Sequence, residues 1–181
     1  MKTERGDDGL KESFVHVYTG NGKGKTTAAL GLTIRAAGAG KKILFAQFLK
    51  TGTFCEHTAL SRFADLVTVR CYGTGDFIRN TVRPDHREAA REGFADLEAL
   101  VRHGMFDLVV CDELTAVINY GMIMRRDVEK LVGQRPVGCE IVITGRGAPD
   151  WLVDCADLVT EMREVRHYYH AGVKARRGIE M

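Results

Sequence analysis

No two cysteines of this sequence form a Cys-x-x-Cys pair, no apolar run reaches the roughly 18 residues that cross a bilayer, and no signal-peptide pattern opens the chain. Each absence removes a class. Cys55, Cys71, Cys111, Cys139 and Cys155 read as small hydrophobes of a reducing compartment, not as staples or a metal cluster. A chain of 181 residues needs no staples, because a domain of that size buries roughly 70% of its unfolded surface. Excess charge is missing too: a net +2 is too slight to draw nucleic acid or an acidic membrane. Internal repeats, low-complexity tracts and linkers are also absent. The expectation is a cytoplasmic protein with neither a nucleic-acid nor a membrane partner.

The composition that remains is ordinary for a globular domain, 45% hydrophobic and 28% charged. Residues 1–13, MKTERGDDGLKES, are polar and are expected to form a flexible leader; residues 14–181 then make one domain ending in a basic tail. Six short Val/Ile-rich runs read as strands: 14–19, 42–48, 67–72, 107–111, 140–144 and 157–162. Several are nearly continuous, as expected of strands covered on both faces. Helix patterns lie between them. One spans 25–38 and can end at Gly38 or Gly40. Another spans 84–103, with Pro84 in its first turn and Ala90, Phe94, Leu97 and Val101 on one face. Strand and helix in alternation predict an α/β fold, a mostly parallel sheet with helices on both faces.

Between the first strand and the first helix stands VYTGNGKGKTTAALG, residues 17–31. Backbone N–H groups at a helix start, aided by the helix dipole, form an anion site. Gly20, Gly22 and Gly24 permit close approach, Asn21 lies between the first two, and Lys23 and Lys25 add charge. Thr26, followed by Thr27, offers a hydroxyl suited to Mg²⁺ or Mn²⁺. Yet the loop is one residue short: the usual pattern places a glycine where Thr19 stands. Nucleotide binding follows all the same, and with it a P-loop, RecA-like form of the α/β fold.

Asp112 and Glu113 close the apolar run FDLVVCDEL, at the strand end where open α/β sheets bind ligands. Carboxylates there serve a cation or orient a water; the blander alternative is a solvated pair capping the helix at ELTAVIN. Arg146 leaves another strand in IVITGRGAP and can reach phosphate, although Gly-Arg-Gly is also a common turn. His167 and His170, three apart in the tail, are more often solvated than metal ligands. The tail is either a solvated basic surface or a cover for an anionic site.

Taken together, TGNGKGKTTAALG, CDEL, VITGRGAP, ADLVTEMREVRH and AGVKARRGIE resemble the ATP:corrinoid adenosyltransferases, in the P-loop branch of cobalamin synthesis and corrinoid salvage. The resemblance runs in order from about Phe14 to Met181. It implies ATP bound with its triphosphate reversed along the loop, and attack by cobalt(I) of a reduced corrinoid on the ribose 5′-carbon. The whole triphosphate then leaves. A different bond is presented, so an altered loop length makes physical sense. Cobalt(I) is itself a strong nucleophile, so no general base is required. By resemblance Lys25 and Glu113 are catalytic, Thr26, Glu113 and Asp112 serve the cation, and residues 20–27 with Arg146 hold ATP. A homodimer and a reduced flavin or flavodoxin-type electron donor are likewise implied.

The sequence departs from the family where the corrin is concerned. An aromatic-rich stretch is common after the third strand; here YGTGDFIRNTVRP offers only Phe77 after Gly75. Phe77 is the candidate to press on the corrin, whereas Trp151 lies far along the chain and reads as packing. His170 stands where Asp is common, and Arg176 where Gln is common. The competing functions are a P-loop kinase or ATPase releasing ADP, and a module that carries adenosylated corrin without making it.

Overall fold

The structure is a computed structural model and describes residues 13–52, 54–75, 78 and 81–180. All six expected strands form: β1 (Val15–Thr19), β2 (Ile43–Phe48), β3 (Val67–Tyr72), β4 (Leu108–Asp112), β5 (Glu140–Thr144) and β6 (Leu158–Glu161). They pair in the order β3-β2-β4-β5-β1-β6, every pair parallel. Parallel neighbours require crossovers, and helices supply them. The helices are α1 (Lys25–Gly38), α2 (Cys55–Leu60), α3 (Pro84–Arg102), α4 (Leu114–Asn119), α5 (Arg125–Gly133) and α6 (Asp150–Asp154).

The alternation of side chains along β2 divides the core. Ile43 and Phe45 join Val110 and Val142 beneath Ala29, Ala36 and Ala37 of α1 and Leu60 of α2. Leu44, Ala46 and Phe48 point the other way, into the layer of α3, α4, α5 and α6. Both faces of the sheet are therefore covered, and β2 and β4 are buried along their whole length. Small residues let α1 lie close to the sheet. On α3 the expected face is the buried one, and Gly93 is part of it: a Cβ there would stand 2.3 Å from the Tyr72 ring.

At the sheet edge β6 pairs with β1, and all four of its residues are exposed. Among the described residues no helix is long and apolar enough to cross a membrane.

Candidate functional site

All six parallel strands deliver their carboxyl ends to one edge. The loop after β1 is shaped by protein neighbours as much as by any ligand. Gly20 takes φ +95°, and a Cβ on it would meet the Met162 carbonyl oxygen at 2.5 Å; on Gly22 the same oxygen would lie at 2.6 Å. The Gly22 N–H donates to that oxygen at 2.6 Å. The exit of β6 thus presses directly on the loop, and the amides left to face an anion begin at Lys23. Thr19, in the place of the missing glycine, accepts the Ala148 N–H on its hydroxyl at 3.0 Å. The shortened loop is in this way tied to the chain that leaves β5.

Lys25 is 7% exposed, and its Nζ donates to the carbonyl oxygens of Gly20 at 2.7 Å and Gly22 at 2.8 Å. Burial, and then the charge of Arg146, lower its pKa below the ordinary lysine value. An anion beside it would favour the charged form. Lys23 turns outward to the tail, donating to Glu180 Oε1 at 3.0 Å, the Ile179 carbonyl at 3.0 Å and the Tyr168 hydroxyl at 3.1 Å.

The two acids after β4 differ sharply. Asp112 is fully buried, and both its oxygens are taken. Oδ1 accepts the hydroxyls of Thr26 (2.8 Å) and Thr144 (2.6 Å); Oδ2 accepts Gln47 Nε2 (2.9 Å) and Lys50 Nζ (3.1 Å). A carboxylate offers about four acceptor positions, so Asp112 has none to spare. Glu113 is half-buried and lines the cleft. Its backbone is left-handed, φ 59°, and its N–H donates to Thr144 Oγ1 at 3.0 Å. Such a conformation in a residue other than glycine is held by its surroundings, here that hydrogen bond. It starts α4 and aims the side chain at the cleft. Burial, then Asp112, push the Glu113 carboxyl above the ordinary glutamate range. The blander expectation, a solvated capping pair, does not describe Asp112.

The cleft has a volume of about 620 Å³. Its walls are the loop from Gly22 to Thr27, Lys50 and Glu56 from the β2 side, Glu113, Arg146, and His167 with Gly178–Glu180 of the tail. The guanidinium of Arg146 makes no hydrogen bond or ion pair among the described residues, while its carbonyl is pinned by Thr115 and Asn119 (both 3.1 Å). The tail covers the site, as one of the two expectations had it. Its hold is Glu180, which also accepts from Arg176 and Tyr168. His167 and His170 do not converge on a metal: His170 pairs with Glu164 at 2.7 Å and His167 Nδ1 accepts the Tyr169 N–H at 3.1 Å. Trp151 packs on the core with Arg125 over its ring at 5.3 Å, as expected. Phe77 lies outside the described residues.

Among the described residues no three His, Cys, Asp or Glu side chains cluster as a metal cage. The donor set nonetheless fits a magnesium-like ion, which is usually held by one or two carboxylates and the substrate's phosphates. Thr26 donates its hydroxyl hydrogen bond to Asp112, which leaves its oxygen lone pairs free, and Glu113 has a carboxylate without a hydrogen-bond partner among the described residues. Asp112 fits as the support behind Thr26. Gln47, Lys50, Glu56 and His57 were not foreseen from the sequence. A glutamine ending the apolar strand ILFAQF was the available signal, since a buried amide demands partners.

Residues 11–181 match the model of the family described as ATP:corrinoid adenosyltransferase BtuR/CobO/CobP. The chain is 35% identical over 170 residues to the corrinoid adenosyltransferase of Escherichia coli strain K12, covering 94% of this chain and 86% of that protein. It is equally similar, at 35% over 170 residues with the same coverage, to the corrinoid adenosyltransferase CobA of Salmonella typhimurium. The corrinoid adenosyltransferase of Pseudomonas aeruginosa is 34% identical over 165 residues, 91% of this chain and 81% of that one. With the loop, the paired acids and the covered cleft at one sheet edge, the chain belongs to the ATP:corrinoid adenosyltransferase family, enzymes of the transferase class.

Proposed function

We propose that this chain transfers the 5′-deoxyadenosyl group of ATP to the cobalt of a reduced corrinoid and releases triphosphate. The observation that carries the reading is the cleft. At about 620 Å³ it falls within the range of small-molecule sites. Along one side it gathers Lys25, Lys50, Arg146 and the first turn of α1. That is a surface for a leaving group whose negative charge grows as the bond breaks.

In the proposed step the cobalt(I) electron pair forms the cobalt–carbon bond, and the 5′-carbon–oxygen bond breaks. Its electron pair leaves on the triphosphate, so no proton has to be moved. The chain's work is to align the 5′-carbon, hold the phosphates and exclude water. Residues 20–27 and Arg146 bind the nucleotide, with Lys25 brought from the loop carbonyls onto a phosphate. Thr26 and Glu113 would hold Mg²⁺ or Mn²⁺, which neutralises phosphate charge when bound, and Asp112 holds Thr26. Phe77 is the corrin-facing aromatic, on the strength of family resemblance. A homodimer is supported by the uncovered β6 edge, where Leu158 and Val159 are each 41% exposed. The reductant is a flavin or flavodoxin-type donor by resemblance.

Glu113 favours a second reading. A free carboxyl with a raised pKa beside a phosphate site is also what an ATPase uses to activate water. Incubation with ATP, Mg²⁺ and a chemically reduced corrinoid separates the two. The proposal expects triphosphate in equal amount to adenosylated corrinoid. ADP and phosphate, formed whether or not corrinoid is present, would establish the ATPase.

A further inference from the structure

We infer that Gln47 and His57 are positioning residues for the cation side of this site, acting through Asp112 on Thr26. The inference rests on the ATP site proposed above, but not on which bond of ATP is broken. Gln47 is fully buried at the carboxyl end of β2, directly opposite Asp112 in the sheet register. Its Nε2 donates to Asp112 Oδ2 at 2.9 Å. Its Oε1 meets Nε2 of His57, on α2.

The chemistry of each partner fixes the next. A carboxylate only accepts, so Gln47 must turn its NH₂ to Asp112 and its carbonyl to His57. The His57 Nε2 must then carry a hydrogen and donate it. Its other nitrogen, Nδ1, lies between the Phe54 N–H at 3.3 Å, at the start of α2, and the Gly52 carbonyl oxygen at 3.1 Å. A Gln47 amide left to itself could turn over and present oxygen to a buried carboxylate. His57 prevents that. Lys50 makes the second contact to Oδ2 at 3.1 Å; it and Gln47 Nε2 also both approach Glu56 Oε1, at 3.6 and 3.5 Å, so Glu56 backs both donors.

What the relay secures is a hydroxyl. With Asp112 held, its Oδ1 accepts the hydrogen bond of the Thr26 hydroxyl and leaves the threonine lone pairs for a cation. Outer-shell partners of this kind typically tune metal affinity or activity by 10- to 100-fold. The relay also links two walls of the cleft, because α2 carries Cys55 and Glu56 on the wall facing the loop.

The test uses three substitutions at half-buried His57 in the full chain, and does not depend on turnover. Equilibrium binding of ATP is measured by calorimetry across a Mg²⁺ series, with melting temperature recorded for each variant. His57→Ala should raise half-saturating Mg²⁺ about ten-fold. ATP affinity at saturating Mg²⁺ should stay within about two-fold of wild type, since the loop itself is untouched. His57→Gln, which keeps an N–H donor, should restore most of the Mg²⁺ affinity. His57→Glu, of equal size but facing the Gln47 carbonyl with an acceptor, should not. Gln47→Leu should resemble His57→Ala if it folds. Wild-type Mg²⁺ dependence in His57→Ala and His57→Glu overturns the inference. So does an equal loss in all three variants that tracks a lower melting temperature, which would make His57 only the cap of α2. Failure of the transfer proposal is visible separately, as ADP in place of triphosphate from the wild-type enzyme.

Discussion

The two sides of the cleft are built by different physics. On the loop side Asp112 and Gln47 are fully buried and Lys25 nearly so, and their polar atoms sit at hydrogen-bond distance from fixed partners on β1, β2, β4 and β5. On the tail side, residues 163–180 are mostly exposed and are held by an ion-pair cluster around Glu180. A buried network of satisfied groups keeps its geometry when the ligand leaves, which is the preorganisation a charged leaving group needs. A cover held by exposed charges opens at small cost, because water and salt compete for each pair. The site is buried and fully hydrogen-bonded on the loop side and exposed on the tail side.

Substitutions on the two sides should therefore differ in kind, and the largest effect belongs to the loop. Lys25→Ala removes the ammonium that, in the proposed step, meets the leaving triphosphate. The rate constant for transfer at saturating ATP should fall about 100- to 1,000-fold. Single-turnover measurement with chemically generated cobalt(I) is the check. A loss confined to ATP affinity would mean that Lys25 binds phosphate without stabilising the transition state.

Glu113 should show a trade-off that no tail residue shows. Glu113→Gln should slow transfer about 10- to 100-fold, with partial relief by excess Mg²⁺ or Mn²⁺. It should also stabilise the ligand-free protein. The folded-state pKa is raised, so the native protein holds a proton that the unfolded chain has lost, and wild-type stability falls as pH rises from the ordinary glutamate value through the folded one. At neutral pH the variant should melt at a higher temperature than wild type. Below about pH 4 the advantage should vanish. Melting curves across that range decide it.

The smallest effect is expected at the cover. Glu180→Gln should release Lys23 and loosen the tail, seen as faster tryptic cleavage within 163–177. Transfer at saturating ATP should change by no more than about two- to five-fold. Arg176, then Tyr168, hold the Glu180 carboxyl below the ordinary glutamate range. The tail contact should accordingly persist as pH falls through the usual glutamate range and fail only below it, whereas high salt should loosen it at neutral pH. A tail equally resistant in variant and wild type would show that packing, not charge, holds it.

The same contrast governs what could be read before the fold was seen. All six strands, α1 and α3 stand within a residue of their expected limits, because strands and long helices write their period into the apolar pattern. Lys25, Thr26, Asp112, Glu113 and Arg146 do converge on one edge, since the loop and strand ends are local signals. Gln47, Lys50 and His57 left no motif: their meaning depends on which strands are neighbours, and pairing is not local. For the same reason the apolar run of β6 does not say that this strand lies at the sheet edge. α5 was overlooked although Val128, Leu131 and Val132 mark one buried face, because nine residues make a short periodic window. The 73–83 loop, with Phe77, departs from the family pattern and is also where the described residues are interrupted.

The most direct measurement follows one oxygen. ATP carrying ¹⁸O at the bridge between the 5′-carbon and the α-phosphorus is supplied with cobalt(I) corrinoid, and the products are weighed by mass spectrometry. Cleavage of the carbon–oxygen bond, as proposed, leaves the label in triphosphate and none in the adenosylated corrinoid. Label recovered in ADP, with unlabelled phosphate as its partner, would mean that the loop presents the γ-phosphorus instead, and the transfer account would be contradicted at its centre.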